Sequence, residues 1–294
     1  MANVQRLTSR SNPLLVRLRK LASDPQAYRK QGQVWLEGEH LCNAYASRGA
    51  PIAQALIGES AWQRGPCREL ALRAQAVAVM PDALMATLSN LDSPAPLAFV
   101  VAWPGAAAAR AQGNAGPPQV PLTAMGGGLG AARPWGLSEI RPAAPSIVLD
   151  RVQDAGNVGT MLRSAAAFGF TQVLALEGSA GLWSPKVLRA GMGAHFALHL
   201  VEGLDPFALS ALAIPLLAAD AHGATLLHEA QLPWPCAWVF GHEGQGIAPG
   251  VLLRCGNALR IAQPGGEESL NVAAAAAVCM YESVRQRSAP GSPG

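Results

Sequence analysis

Apolar positions along this chain fall into two rhythms, short unbroken runs and repeats of three to four residues. The runs Gln33-Val-Trp-Leu-Glu37, Ile52-Ala-Gln-Ala-Leu-Ile57 and Ala98-Phe-Val-Val-Ala102 have the length of strands. Leu14, Leu15, Leu18 and Leu21 repeat at helical spacing, so 4–31 reads as a helical segment, and helices are expected over about 39–48 and 82–90. Residues 1–103 thus read as one small α/β domain. Between Pro104 and Pro145 the rhythm stops. The Ala106–Ala109 run, Pro117-Pro118 and Gly126-Gly-Gly128 carry no sustained apolar period, so 104–145 reads as a flexible linker.

The rhythm returns at Ile147-Val-Leu149, the first strand of a second domain over 146–287. A helix follows with Asn157 as its expected N-cap and Gly169 just past its end. Val158, Met161, Leu162, Ala165 and Phe168 form its apolar stripe, and Arg163 stands well off it. Further strands are expected at 172–176, 197–201, 215–219, 236–240 and 258–262. Helices are expected at 185–191 and 270–287, the last with Ser269 near its N-cap, and 288–294 reads as a disordered tail. Strands alternating with helices predict an α/β fold with a mostly parallel sheet covered on both faces.

Charge changes this picture at one place. The chain is net +3, but residues 1–30 hold seven basic residues against Asp24 alone, which leaves the rest slightly acidic. A basic opening segment points to a polyanionic partner, and a solvated helix face would explain the charge equally well. Apolar content of 50% excludes global disorder. The five cysteines, 42, 67, 236, 255 and 279, show no C-x-x-C spacing, which argues against a disulfide framework and a zinc site and for a cytoplasmic chain. No apolar run reaches membrane-spanning length. The arginine-rich N-terminus has no signal-peptide core, and the fold is expected to begin at once, which weighs against a transit peptide.

Candidate chemistry concentrates in three segments: Asn157-Val-Gly-Thr-Met-Leu-Arg163, Gly241-His-Glu-Gly-Gln-Gly246 and Glu268-Ser-Leu-Asn271. Each places glycine or a short polar residue at an expected strand-to-loop or loop-to-helix junction, where backbone groups are free to hold a ligand. None has the spacing of a dinucleotide fingerprint, and no phosphate-loop lysine is present, which argues against a nucleotide-dependent oxidoreductase.

The order and spacing of Leu149-Asp-Arg-Val-Gln-Asp-Ala-Gly-Asn-Val-Gly-Thr-Met-Leu-Arg-Ser-Ala-Ala-Ala-Phe-Gly169, Val239-Phe-Gly-His-Glu-Gly-Gln-Gly-Ile247 and Glu268-Ser-Leu-Asn-Val272 resemble the SpoU/TrmH-type RNA ribose methyltransferases of the SPOUT superfamily. Thr8-Ser-Arg-Ser-Asn-Pro13 and Trp35-Leu-Glu-Gly-Glu-His40 more weakly resemble that family's ribosomal-protein-like RNA-binding domain. The resemblance implies a C-terminal trefoil knot, S-adenosyl-L-methionine as methyl donor, a homodimer, and methylation of a ribose 2′-oxygen, with no metal. Ribosomal RNA is favoured over tRNA as substrate. By position it implies Arg163, Asn157, Glu243, Ser269 and Asn271 in catalysis. It places the donor against Gly241, Gly246, Ile261, Leu270 and Asn271. Arg6, Arg10, Arg17 and Arg19 would contact RNA. The chain departs from the pattern at Ala155, where the family has proline, at Ala262-Gln263 in place of Pro-Met, and at His242. Accounts of the family make the Arg163 position a general base; a guanidinium that clamps phosphate and stabilises developing alkoxide charge is the alternative. A tRNA 2′-O-methyltransferase and a non-catalytic RNA-binding or ribosome-assembly factor of the same fold are the competing functions.

Overall fold

The computed structural model describes residues 2–89, 93–105, 140–265 and 270–288. Most of the expected linker, Ser269 and the 289–294 tail lie outside the described residues. The chain divides into two compact units, one of Met1–Leu137 with Trp183–Phe196, the other of Ser138–Leu182 with Ala197–Gly294.

The first unit holds β1 (Asn3–Arg6), β2 (Gln33–Glu37), β3 (Gln54–Gly58), β4 (Ala76–Met80) and β5 (Leu97–Ala102), in the order β1-β4-β3-β5-β2. Strand β5 runs antiparallel to both neighbours, and β4 runs parallel to both of its own. The helices are α1 (Pro13–Ser23), α2 (Ala27–Gln31), α3 (Glu39–Ala46), α4 (Glu59–Trp62), α5 (Gly65–Ala71) and α6 (Asp82–Ala86). Segment 4–31 is therefore not one helix. Asn3–Arg6 finds an edge partner in β4, and Asn12 caps α1 by accepting the Leu14 N–H at 2.9 Å, with Pro13 in the first turn. The helix stops at Asp24, before Pro25. Leu15, Leu18 and Leu21 are buried as their spacing requires. Strand β4 has no legible period because Ala76-Val-Ala-Val-Met80 is apolar on both faces, and α4 and α5 are too short to show one.

The second unit is built on β6 (Ser146–Asp150), β7 (Gln172–Leu176), β8 (His199–Leu204), β9 (Leu216–Ala219), β10 (Thr225–Leu226), β11 (Ala237–Gly241) and β12 (Asn257–Arg260). Their order is β10-β12-β9-β11-β6-β7-β8, and every pair is parallel. Its helices are α7 (Ala155–Ala167), α9 (Pro249–Leu252) and α10 (Val272–Arg287), while α8 (Pro185–Gly191) counts with the first unit.

Successive side chains of the parallel strands alternate between two faces. Val148, Leu174, Val201, Ala237 and Val239 join Leu209, Ile214 and Val251 in one core cluster. Trp238 points the other way, and its indole N–H donates to Ser283 of α10 at 2.9 Å. Helices α7 and α10 pack together. Small Ala273 and Ala276 are buried on α10, and Phe168, just past α7, meets Tyr281 edge-on at 5.9 Å between ring centroids. From β6 the chain steps outward to β7 and β8, then crosses to the other side of the sheet. The carboxyl ends of β6 and β11 therefore lie where strand order reverses, the position at which open α/β sheets bind ligands. Among the described residues no helix is long and apolar enough to cross a membrane.

Candidate active site at the carboxyl edge of the parallel sheet

Strands β6 and β11 end in register, Asp150 opposite Gly241. After Gly241 the chain folds back on itself. His242 donates its N–H to the Gly246 carbonyl at 3.0 Å and accepts the Gly246 N–H at 2.8 Å. Inside this turn the His242 Nδ1 accepts from the N–H groups of Gly244 and Gln245 at 3.0 and 3.2 Å. Two glycines have separate reasons to be there. A Cβ on Gly241 would overlap the backbone of Gly246 and Ile247, and Gly246 adopts a φ of 66°, the left-handed region that L side chains avoid.

The three polar segments meet through side chains. Asp154, not Asn157, caps α7, with its carboxylate accepting the Asn157 N–H at 2.7 Å. Asn157 thus sits in the first turn, with its amide free to bridge. The Glu243 carboxylate accepts the backbone N–H groups of Asp154 at 3.0 Å and Gln153 at 3.2 Å, and the Asn157 Nδ2 at 3.2 Å. Asn157 Oδ1 accepts from Asn271 Nδ2 at 2.9 Å. Asn271 Oδ1 caps α10 by accepting from the N–H groups of Ala273 and Ala274 at 2.9 and 3.2 Å. An ionised carboxylate can only accept, so it dictates the orientation of Asn157, which in turn dictates that of Asn271. Asn271 therefore takes the capping role that sequence reasoning gave to the Ser269 region.

Burial alone would push the Glu243 carboxyl up. The hydrogen bonds from Asp154, from its own backbone N–H, from Asn157 and from Gln153 outweigh it and hold the group below the ordinary glutamate range. Such a group stabilises the fold above its unfolded value of about 4.3 and loses that contribution as pH falls through the lower folded value. Glu243→Gln should therefore melt below wild type at neutral pH, and the two melting temperatures should converge as pH falls below about 4. Parallel melting curves across that range would remove the ionised carboxylate from this role.

Arg163 is exposed on α7, about 9 Å of helix rise beyond Asn157, and is not a member of the hydrogen-bonded chain. Ile261 follows β12 and is half-buried, and Leu270, just before α10, is 42% exposed. The structure thus joins Asn157, Glu243 and Asn271 directly and folds Gly246 over Gly241. It leaves Arg163, Ile261 and Leu270 outside those bonds. Of the four basic residues expected to contact RNA, Arg6 pairs with Glu59 at 3.2 Å and Arg10 is exposed. Arg17 is half-buried, and desolvation makes its guanidinium easier to deprotonate. Arg19 donates to the Thr87 carbonyl and hydroxyl at 3.1 and 3.3 Å, a tie between α1 and the residue after α6. Sequence reasoning passed over Asp150 and Arg151, whose acid–base adjacency at a strand end was the available signal. All five cysteines are free, and among the described residues no group of three or more His, Cys, Asp and Glu could hold a metal ion.

The sequence model of the SpoU rRNA methylase family matches residues 144–281. An uncharacterized tRNA/rRNA methyltransferase of Synechocystis is 30% identical over 297 residues, which spans 100% of this chain and 98% of that protein. The 23S rRNA (guanosine-2′-O-)-methyltransferase RlmB of Bordetella pertussis is 34% identical over 157 residues, 51% of this chain and 63% of its own length. A crystal structure of an RNA 2′-O ribose methyltransferase superposes with a TM-score of 0.71 at 26% identity, covering 96% of this chain and 99% of that one. The SpoU methyltransferase AviRb of Streptomyces viridochromogenes, solved with AdoMet, shares the fold at a TM-score of 0.75 and 22% identity, covering 94% of this chain and 98% of that one.

Proposed function

The chain belongs to the SpoU rRNA methylase family, and on that premise we propose that it transfers a methyl group from S-adenosyl-L-methionine to a ribose 2′-hydroxyl of ribosomal RNA. The observation that carries this reading is the hydrogen-bonded chain Glu243–Asn157–Asn271, which fastens three distant segments at the strand-order reversal.

The residues present fit the donor. Ile261 and Leu270 offer apolar surface to a flat purine, and the tight turn on Gly241 leaves backbone rather than side chain at the end of β11. When bound, S-adenosyl-L-methionine supplies a methyl group made electrophilic by its sulfonium. The protein's remaining tasks are alignment of the ribose and handling of charge on its oxygen. The ribose hydroxyl gives up its proton to water, negative charge develops on the oxygen, and that electron pair forms the O–CH3 bond as the donor's S–CH3 bond breaks and its pair returns to sulfur. The fixed cation of Arg163 stabilises that charge and clamps a neighbouring phosphate. Glu243, held ionised by four hydrogen bonds, orients Asn157, and Asn157 orients Asn271 at the head of α10. Ser269 is assigned to the same site from its place in the sequence, two residues before Asn271. The reading includes a trefoil knot, supported by a strand order in which late β11 lies beside early β6, and a homodimer, supported by the exposed Val278 and Tyr281 on α10. It places the enzyme in the cytoplasm, where its free thiols stay reduced.

The first unit, within 1–103, is assigned to RNA capture through Arg6, Arg10 and Arg17, with Arg19 holding α1 in place. Arg10→Ala with Arg17→Ala should weaken RNA binding and reduce the slope of log affinity against log salt by up to about 2. An unchanged slope would make this a solvated face. The function is tested by transfer of labelled methyl groups to total RNA from cells lacking the protein. Label should enter the ribosomal fraction; label confined to tRNA would reassign the substrate, and no transfer together with no donor binding would favour the non-catalytic RNA-binding or assembly-factor reading.

A further inference from the structure

A second tie runs from β6 to the turn after β11, and none of the roles above uses it. Asp150 ends β6 with its side chain 3% exposed. Its carboxylate accepts the Ala248 N–H at 2.6 Å and the Arg151 guanidinium at 3.0 and 3.3 Å. Arg151 reaches over the turn: Nη1 donates to the Gln245 side-chain oxygen at 2.9 Å, and Nη2 donates to the Gly246 carbonyl at 3.2 Å. To do so its backbone takes a φ of 60°, the left-handed region disfavoured for L side chains. Such strain persists where surrounding contacts fix it, and here the contacts are those of the guanidinium itself.

The geometry has a plain consequence. Glu243 ties the first half of the turn to Gln153, Asp154 and Asn157. Asp150 and Arg151 tie its second half, through Gln245, Gly246 and Ala248. Among the described residues, the hydrogen bonds left to the Gly246 backbone without the second tie are those of its own bridge to His242. We infer that Asp150 and Arg151 are positioning residues, a two-residue clamp that orders the 242–248 turn for the ligand bound against it. The inference rests on the proposed methyl-transfer reading for the identity of that ligand and on the structure alone for the clamp.

Arg151→Gly separates positioning from fold stability, because glycine adopts the left-handed backbone without strain. In the ligand-free variant, amide exchange within 242–248 should accelerate by about tenfold or more while exchange in α10 stays as in wild type. The Kd for S-adenosyl-L-methionine should rise by about tenfold, and the donor KM should rise more than kcat falls. Arg151→Lys keeps a charge for Asp150 but cannot span both Gln245 and Gly246, so it should fall between the two, and it carries the test if the glycine variant does not fold. Unchanged exchange in the turn, or accelerated exchange with an unchanged Kd, overturns the inference. Accelerated exchange in a protein whose wild type does not bind the donor leaves the clamp standing and removes the methyl-transfer reading.

Discussion

Arg163→Ala should lose methyl transfer by roughly 10²–10³-fold in kcat while donor affinity stays near wild type, the size of effect seen when one charge-stabilising donor is removed from a reaction centre. The expectation follows from position. Arg163 stands off the apolar stripe of α7, exposed, on the helix whose first turn carries Asn157. It is spared from the bonds that hold Glu243, Asn157 and Asn271, so its removal should leave that framework intact. A guanidinium holds its proton in proteins, which makes it a poor acceptor for the ribose proton and a good partner for the alkoxide that replaces it. Single-turnover transfer, with donor binding measured separately by calorimetry, checks both halves. Near wild-type turnover would remove Arg163 from the reaction.

Gly241→Ala should be the most disruptive small change at the site. The added methyl would meet the main chain of Gly246 and Ile247, not the yielding end of a side chain, so the turn must move as a body. Overpacking of this kind costs about 1–3 kcal/mol, and the turn it displaces carries Glu243 and the second-half ties to β6. Donor affinity should fall by about tenfold or more, with a lower melting temperature. Gly250→Ala is the control: Gly250 lies in α9 with open space around its Cβ position, and an alanine there should leave both quantities unchanged. Equal behaviour of the two variants would contradict the assigned role of the turn.

The parts of this protein legible in its sequence are those where one local signal dominates. The stripe Val158, Met161, Leu162, Ala165 and Phe168 predicted the buried face of α7; the first four are buried, and Phe168, just past the helix, is half-buried. The strands 172–176 and 236–240 stand within one residue of expectation because each centres on an unbroken apolar run, closed off by Gln172 and Glu177 in one case and by Pro235 and Gly241 in the other. Where two signals competed, the reading slipped. Asn157 and Asp154 are both good caps, and the structure uses the earlier one and sends the Asn157 amide outward to a partner 114 residues away. Asn3–Arg6 is exposed at every position, so no apolar alternation marked it as a strand; its pairing with β4 makes it one. The bond between Glu243 and Asn157 spans 86 residues, and no period or composition could announce it. Glycine at 241 was expected to let backbone approach a flat ligand; the backbone it admits in the structure is that of its own loop, at Gly246 and Ile247. Asp150 and Arg151 were passed over because a charged pair at a strand end reads as an ordinary solvated turn until the carboxylate is seen to be buried.

The most direct test of the central claim is chemical mapping of the transferred methyl group. Ribosomal RNA labelled by the wild-type protein with tritiated S-adenosyl-L-methionine is hydrolysed in alkali and its nucleotides are separated. A methylated 2′-oxygen cannot attack the neighbouring phosphate, so the account predicts label in an alkali-resistant dinucleotide, absent when Arg163→Ala replaces the wild type. Label recovered in single, alkali-released nucleotides would place the methyl group on a base and contradict it.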